Sequence, residues 1–192
     1  MTEPRLPPRT AAVFCGSSHG DDPAFTRAAE RLGEEMTRRD IGLVYGGGDV
    51  GLMGTIADTV MRLGGSAIGV IPRLLVEREV AHRALTELIL VETMHERKRR
   101  MYDLADVMIV LPGGIGTFEE LFEALTWNQL GIHRKPCGLL DVGGYYRPLV
   151  AQLENARRHG FLRGSQEVML PVREEPAEML DLLFSRSAAL AK

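Results

Sequence analysis

Short apolar runs alternate with amphipathic segments through most of the chain. The runs are continuously apolar and rich in β-branched residues, which is typical of strands buried on both faces of a parallel sheet. They predict strands at residues 10–15, 41–45, 66–71, 85–91, 107–111 and 137–140, with a short last strand at 168–170.

The segments between these runs carry apolar residues at helical spacing and therefore predict helices. Their ranges are 23–39, 52–63, 93–104, 117–130, 146–159 and 177–184. The alternation of strands and helices predicts an α/β fold, in which a doubly wound parallel sheet has helices on both faces. We expect a flexible N-terminal arm at residues 1–9, a single domain at 10–185 and a C-terminal tail at 186–192.

Ligands of such sheets bind beyond the carboxyl ends of the strands. We therefore expect the chemistry in the segments that follow the predicted strands. These segments are residues 15–18, 45–51, 71–79, 91–97 and 111–120.

Composition narrows the range of partners. The formal net charge of −3 gives no general attraction to nucleic acid or to anionic membranes. The apolar runs are too short to span a bilayer, and the N-terminus lacks the apolar core of a signal peptide. Cys15 and Cys137 are the only cysteines and no Cys–His spacing resembles a zinc site, so we expect no metal and a cytoplasmic location.

The most informative segment is Pro-Gly-Gly-Ile-Gly-Thr-Phe-Glu-Glu at residues 112–120, between a predicted strand and a predicted helix. Its glycines expose backbone N–H groups, and a helix start attracts an anion through its unpaired N–H groups and its dipole. Glu119 and Glu120 would then stand on the first helical turn, beside that anion. The segment predicts a phosphorylated substrate with an acidic side chain next to it.

The same residues have a structural alternative. Thr117 and Glu120 fit a capping box, in which a threonine caps the helix and a glutamate three residues later reaches back to its N–H. Glu119 and Glu120 are consecutive and therefore about 100° apart around the helix. Only one of the two carboxylates can face a site above the glycines.

A second glycine-rich segment, Gly-Gly-Gly-Asp-Val-Gly at residues 46–51, fits the dinucleotide fingerprint after a strand. The fit is weak, because no acidic residue ends the next predicted strand to bind a ribose. A tight turn with close helix packing is an equal alternative. Neither segment ends in the Lys-Ser/Thr pair of a P-loop, so a monophosphate fits better than a triphosphate.

A run of basic residues at 97–100 lies near the start of the predicted helix at 93–104. Such runs are usually solvated helix faces. The first residues of this run, however, lie on the predicted ligand side of the sheet. Arg97 or Lys98 would meet a phosphate, a ribose or a carboxylate there, whereas Arg99 and Arg100 would point elsewhere.

Three motifs occur in order along the chain: Gly-Gly-Gly-x-x-Gly-Leu-Met-Gly from Gly46, Met-His-Glu-Arg-Lys from Met94, and the segment at 112–120. With this combination the chain resembles the LONELY GUY (LOG) family over about residues 11–160, which include Gly143-Gly144-Tyr145-Tyr146. The resemblance implies a Rossmann-like fold and usually a homodimer. It also implies hydrolysis of the N-glycosidic bond of AMP or an N6-modified AMP to the free base and ribose 5-phosphate, with no cofactor.

The resemblance also assigns residues. Arg97 and Glu120 match the catalytic pair. The positions that match substrate contacts are Glu79, Arg97, Lys98, Gly114, Ile115, Gly116, Thr117, Phe118, Glu119, Glu120 and Thr126, and candidates for further loop contacts are Gly16, Ser17, Gly47 and Gly48. Glu120 would stabilise the positive charge that develops on the ribose and polarise the attacking water. Arg97 would keep Glu120 ionised.

Two other functions fit parts of the sequence. Members of this family are often labelled lysine decarboxylases, but neither Lys98 nor Lys135 lies in an evident pyridoxal-phosphate site. A non-catalytic carrier of a nucleotide or of molybdenum cofactor fits the fold, and the presence of both Arg97 and Glu120 argues against it.

Overall fold

The computed structural model describes residues 7–76, 81–162 and 170–190. Its strands are β1 (Arg9–Phe14), β2 (Ile41–Tyr45), β3 (Ala67–Pro72), β4 (Glu87–Val91), β5 (Val107–Val110), β6 (Cys137–Leu140) and β7 (Val172–Arg173). Within the described ranges they form one seven-stranded sheet in the order β4-β3-β2-β1-β5-β6-β7. Every neighbouring pair of strands is parallel.

The helices cover both faces of this sheet. They are α1 (Pro23–Arg38), α2 (Gly51–Arg62), α3 (Met94–Leu104), α4 (Ile115–Gln129), α5 (Arg147–Arg158) and α6 (Pro176–Leu190). Helices α1, α2 and α6 pack on one face, and α3, α4 and α5 pack on the other. The predicted doubly wound α/β fold is therefore confirmed. Among the described residues, no helix combines the length and the apolar character needed to cross a lipid bilayer.

Strand β5 shows why the strand runs are continuously apolar. Val107 and Ile109 belong to the core under α1, α2 and α6. Met108 and Val110 belong to the core under α3, α4 and α5. Alternate residues of a strand point to opposite faces, so a strand covered on both faces carries apolar side chains at every position.

Most predicted boundaries shift by only one or two residues, and one of these shifts matters for the site: α4 begins at Ile115 rather than at residue 117. Of the predicted last strand at 168–170, residues 168 and 169 lie outside the described ranges, and β7 begins at Val172. Residues 1–6 of the predicted arm also lie outside them, and Arg9 already belongs to β1. Helix α6 continues to Leu190.

The direction of winding reverses between β1 and β5. The chain leaves β1 through α1 towards β2 on one side, and it leaves β5 through α4 towards β6 on the other side. Because α1 and α4 lie on opposite faces, the chain turns to opposite sides of the sheet after β1 and after β5. Such a topological switch point is the usual ligand position of open α/β sheets.

Candidate functional site

The loops after β1 and β5 touch at the carboxyl edge of the sheet. The Gly16 N–H donates a hydrogen bond to the Pro112 carbonyl oxygen (3.0 Å), and the Gly16 carbonyl accepts one from the Leu52 N–H (3.0 Å). The loop of buried Gly16 and exposed Ser17 therefore connects the start of α2 to the glycine-rich segment before α4. These contacts lie at the switch point of the sheet, between β1 and β5.

The start of α4 determines which backbone N–H groups are available to a ligand. Gly114 is the N-cap residue in an extended conformation, and no side chain caps the helix there. The first four N–H groups of a helix have no partner within it, and in α4 they belong to Gly114, Ile115, Gly116 and Thr117. The first three of these residues are exposed. The helix therefore offers its donors at the residues for which anion binding was predicted.

Two kinds of glycine stand side by side in this segment. A Cβ atom on Gly113 would lie 2.1 Å from Thr117 Oγ1 and 2.7 Å from Gly16 N, so the chain itself requires glycine there. A Cβ atom on Gly114 or Gly116 would meet nothing within 4 Å. Packing within the chain does not explain these two glycines, whereas the close approach of a ligand would.

Glu120 lies deeper in α4 than a capping residue does. The capping-box interpretation is wrong, because Thr117 is the third residue of α4 and Gly114 is its N-cap. The predicted first-turn position of Glu119 and Glu120 is also wrong, since the first turn contains no acidic residue. Helical side chains lean towards the N-terminus, so the Glu120 side chain is directed back along the helix. Burial raises the pKa of Cys15 and the Glu120 carboxylate raises it further, which places that carboxylate near the end of β1.

Glu119 is engaged by the neighbouring helix. Its carboxylate accepts a hydrogen bond from Lys98 Nζ, which also donates to Glu123 Oε1 (2.9 Å). Burial alone would lower the pKa of Lys98, but the bonds to Glu119 and Glu123 raise it above its ordinary value. The Lys98 side chain is only 4% exposed. The structure therefore shows Lys98 as a buried cation that ties α3 to α4.

Arg97 is buried against the ends of β2 and β3. Its Nε donates to the Val70 carbonyl (3.1 Å) and its Nη2 to the Gly46 carbonyl (2.8 Å). A Cβ atom on Gly46 would lie 2.0 Å from Arg97 Nη2, so the guanidinium needs a glycine at that position. This role of Gly46 is not evident from the sequence, because a glycine that follows a strand has several possible structural reasons.

The basic run divides as predicted. Arg97 and Lys98 are buried, whereas Arg99 and Arg100 are exposed. Arg99 forms a surface ion pair with Asp103 (3.0 Å), so the second half of the run is a solvated helix face. Helix α3 begins with a capping box. Thr93 Oγ1 accepts a hydrogen bond from the Glu96 N–H (3.1 Å), and the Glu96 carboxylate accepts one from the Thr93 N–H.

The remaining predicted contacts are spread over a larger area. Gly47 and Gly48 are buried, and Gly48 forms an isolated bridge with Ala81. Glu79 lies outside the described residues. Thr126 is exposed on α4 and its hydroxyl donates to the Phe122 carbonyl (2.7 Å). It lies twelve residues beyond the N-cap, or about 18 Å along the helix axis, so one chain does not bring it to the glycine-rich segment.

Comparisons with known proteins show the family of this chain. The family model described as "Possible lysine decarboxylase" matches residues 53–183. A cytokinin riboside 5′-monophosphate phosphoribohydrolase of Arabidopsis thaliana is 44% identical over 183 residues, which cover 95% of this chain and 86% of the relative. The enzyme of that name from Rhodococcoides fascians is 47% identical over 159 residues, with 82% and 80% covered. A probable enzyme of that name from Oryza sativa subsp. japonica is 46% identical over 175 residues, with 91% and 72% covered.

Solved structures share the fold at lower identity. The molybdenum cofactor binding protein of Rippkaea orientalis is 22% identical, with a TM-score of 0.67, and the match covers 92% of this chain and 96% of that protein. The Moco carrier protein of Chlamydomonas reinhardtii is 18% identical, with a TM-score of 0.70 and coverage of 94% and 98%. At these identities the likeness shows the fold alone.

The fold and the site define a Rossmann-like α/β protein with a glycine-rich helix start at its topological switch point. The sequence relatives narrow this class. The chain belongs to the LONELY GUY family of cytokinin riboside 5′-monophosphate phosphoribohydrolases.

Proposed function

We propose that this protein hydrolyses the N-glycosidic bond of adenosine 5′-monophosphate or its N6-modified forms, and releases the free base and ribose 5-phosphate. One observation carries the proposal: α4 offers its unpaired N–H groups at Gly114–Thr117 and carries Glu120 about one turn further on. One helical turn is about 5.4 Å. An anion site and a carboxylate at this separation suit a phosphate and the ribose attached to it.

The 5′-phosphate would bind at the start of α4. A phosphate there gains hydrogen bonds from backbone N–H groups and the attraction of the helix dipole. The absence of a Cβ atom on Gly114 and Gly116 leaves room for its oxygens. This contact does not take part in the reaction, but its binding energy aligns the reacting carbon.

The chemistry would be carried by Glu120. The water oxygen bonds to C1′ of the ribose and the water gives up one proton, while the C1′–N bond breaks. The electron pair of that bond leaves with the base, which takes up one proton, so no proton is gained or lost overall. Positive charge develops on the ribose in the transition state, and a carboxylate beside it stabilises that charge and orients the water. Arg97 would be the cation that keeps Glu120 ionised, held in place by the Val70 and Gly46 carbonyls.

The described lysines argue against a decarboxylase that forms a Schiff base. Such a lysine must lose its proton to act as a nucleophile. Lys98 has a raised pKa because two carboxylates surround it. Burial lowers the pKa of Lys135, but its Nζ is engaged, since it donates to the Ala105 carbonyl (2.5 Å) and to that of Tyr102. Lys135 therefore binds the end of α3. It precedes β6 in the chain, so it lies at the amino edge of the sheet and not at the carboxyl edge.

A substrate panel tests the proposed function. Purified protein is incubated with AMP, isopentenyladenosine 5′-monophosphate and the two corresponding nucleosides, and the free base is quantified by chromatography. We expect base release from the monophosphates and at least about a hundredfold less from the nucleosides, since the phosphate contacts are lost. AMP binding in calorimetry without base release would overturn the hydrolase and favour a carrier. Cadaverine formed from lysine in place of base release would overturn it in favour of a decarboxylase.

We infer that the protein acts as a homodimer that associates through α4. Large apolar side chains of α4 and the turn after it are exposed: Ile115, Phe122, Leu130 and Ile132. Ile115 and Phe122 are seven residues apart and therefore share a face, and exposed apolar patches mark interaction surfaces. Thr126 follows Phe122 by one turn, so we place it at this interface. Sedimentation should give a dimer for the wild type and a monomer for Phe122→Asp, and a monomeric wild type would contradict the inference.

We further propose a cytoplasmic location. Cys15 and Cys137 are free thiols buried in the core, and burial raises the pKa of Cys137 to about 12. Free thiols are typical of proteins that work in a reducing compartment. Fractionation of cells should find the activity with cytosolic markers, and its recovery outside the cell would contradict the proposal.

Gly116→Ala should separate ligand binding from folding. A Cβ atom there has free space in the chain and favours the helix by about 0.5–1 kcal/mol, so we expect an unchanged or higher Tm. In a phosphate site the methyl group displaces an oxygen, and we expect KM for AMP to rise at least about tenfold, the equivalent of about 1.4 kcal/mol.

Gly113→Ala supplies the contrasting variant for this test. Its Cβ atom would lie 2.1 Å from Thr117 Oγ1, so we expect a lower Tm. Thermal unfolding and steady-state kinetics measure both variants. An unchanged KM for AMP in Gly116→Ala would contradict the proposed binding of the phosphate at the start of α4.

A further inference from the structure

The turn between β6 and α5 carries two tyrosines to the glycine-rich segment. Gly143 (φ 62°) and Gly144 (φ 80°) adopt the left-handed conformation that glycine favours. Asp141 Oδ1 accepts the Tyr146 N–H (2.8 Å) and closes the turn. This motif belongs to the family resemblance, but the proposed reaction leaves it without a role.

Each tyrosine hydroxyl binds a backbone carbonyl next to the start of α4. Tyr145 OH donates to the Gly113 carbonyl oxygen (2.5 Å), and Tyr146 OH donates to the Leu111 carbonyl oxygen (2.6 Å). The Tyr145 ring is held edge-on by Phe25 (centroids 5.7 Å apart) and by Tyr146 (5.0 Å). The position of its hydroxyl is therefore set by packing, although Tyr145 is 37% exposed.

The two bonds differ in what they orient. A peptide unit is planar and trans, so its carbonyl and its N–H point in opposite directions. The Gly113 carbonyl shares its peptide plane with the Gly114 N–H, the first of the four donors at the start of α4. The Leu111 carbonyl shares its plane with Pro112, which has no N–H. Only the Tyr145 bond therefore aims a donor at the site.

We propose that Tyr145 is a positioning residue for the substrate phosphate: its hydroxyl holds the Gly113 carbonyl and thereby directs the Gly114 N–H at the phosphate. The proposal rests on the proposed function of this site. The same bond polarises the peptide and strengthens its N–H as a donor, because hydrogen bonds in a chain reinforce one another. Tyr146 has a structural role, because its bond to the Leu111 carbonyl anchors the chain at the end of β5.

Tyr145→Phe and Tyr146→Phe form a matched pair for the test. Each removes one hydroxyl and keeps the ring. For Tyr145→Phe we expect KM for AMP and the inhibition constant of ribose 5-phosphate to rise about five- to tenfold, as for the loss of one well-aligned hydrogen bond. We expect kcat to change less than threefold and the inhibition constant of adenine, which has no phosphate, to stay unchanged. For Tyr146→Phe we expect a lower Tm and an unchanged KM.

The outcomes separate this proposal from the proposed function. If wild-type protein releases no base from any monophosphate, both the proposed function and the proposed role of Tyr145 are overturned. If the wild type is active and Tyr145→Phe leaves both phosphate-dependent constants unchanged, only the role of Tyr145 is overturned. Equal weakening of adenine and ribose 5-phosphate inhibition in Tyr145→Phe would show a merely structural role and would also overturn it.

Discussion

Replacing Glu120 by glutamine is expected to lower kcat for base release from AMP by at least about a thousandfold. Glutamine has the size of glutamate but no charge, so it neither stabilises the cationic transition state nor orients the attacking water as a base. Each of these two effects contributes about 10²–10³-fold or more to the rate. The expected Kd for AMP changes little, because we propose that the phosphate binds at the helix start and not at Glu120. Chromatography of the released base and calorimetry of AMP binding measure the two effects separately.

Glu119→Gln is the comparison for this experiment. Glu119 is the next residue in the chain, yet its carboxylate binds Lys98, and it lies about 100° away around the helix. Losing this ion pair should lower the free energy of unfolding, because Lys98 is buried, but Glu123 still pairs with Lys98 and the Glu120 carboxylate stays in place. We therefore expect kcat of Glu119→Gln to stay within about tenfold of the wild type. Equal losses in the two variants, or an active Glu120→Gln, would contradict the assignment of Glu120 as the catalytic carboxylate.

Arg97→Lys should impair both activity and stability. The guanidinium donates to the carbonyls of Val70 and Gly46 at once, and a lysine ammonium lacks the fork geometry to do so. A buried carbonyl that loses its donor costs about 1–3 kcal/mol. We expect a loss of this size in the free energy of unfolding. We also expect at least about a hundredfold loss of kcat/KM, because a lysine would not hold its charge at the position that we propose for the Arg97 guanidinium.

Arg99→Lys provides the matched control two residues further along α3. Arg99 is exposed and pairs with Asp103 on the surface, so this change should stay within about 0.5 kcal/mol of the wild-type stability and leave turnover unaltered. Urea unfolding gives the stability, and kinetics are recorded well below the unfolding midpoint. Full turnover by Arg97→Lys would show that the charge of Arg97, and not its fork, is what the reaction needs.

The same local pattern, Thr-x-x-Glu, occurs twice near the site and has two different outcomes. At Thr93 and Glu96 it is a capping box that starts α3. At Thr117 and Glu120 it lies inside α4, because that helix begins at Ile115. Spacing alone does not separate the two cases, since a helix start also depends on what holds the preceding loop. Before α4 the loop is held by the Gly16 N–H on Pro112 and by the Tyr145 hydroxyl on Gly113.

Several roles at the site depend on partners that are distant in sequence. Gly46 must be glycine because Arg97, fifty-one residues later, places Nη2 where a Cβ atom would stand. Lys98 becomes a structural cation because α4 presents Glu119 and Glu123 to it. The sequence of the basic run predicts only which residues lie on the ligand side and which point away from it. It does not predict that Lys98 pairs with Glu119 and Glu123, because neither helix alone determines how α3 packs against α4.

The sequence by itself determined the fold class, the order of strands and helices along the chain, the family and the two segments that carry Arg97 and Glu120. It could do so because strands buried on both faces need apolar side chains at every position, and because a parallel sheet collects its loops at one edge. Only the tertiary structure decided that α4 starts at Ile115 and that Glu120 lies beyond its first turn. It also decided that Arg97 rests on two backbone carbonyls. These features depend on hydrogen bonds and close contacts between segments that are far apart in the chain. A local sequence pattern does not predict such contacts, because it contains only one of the two partners.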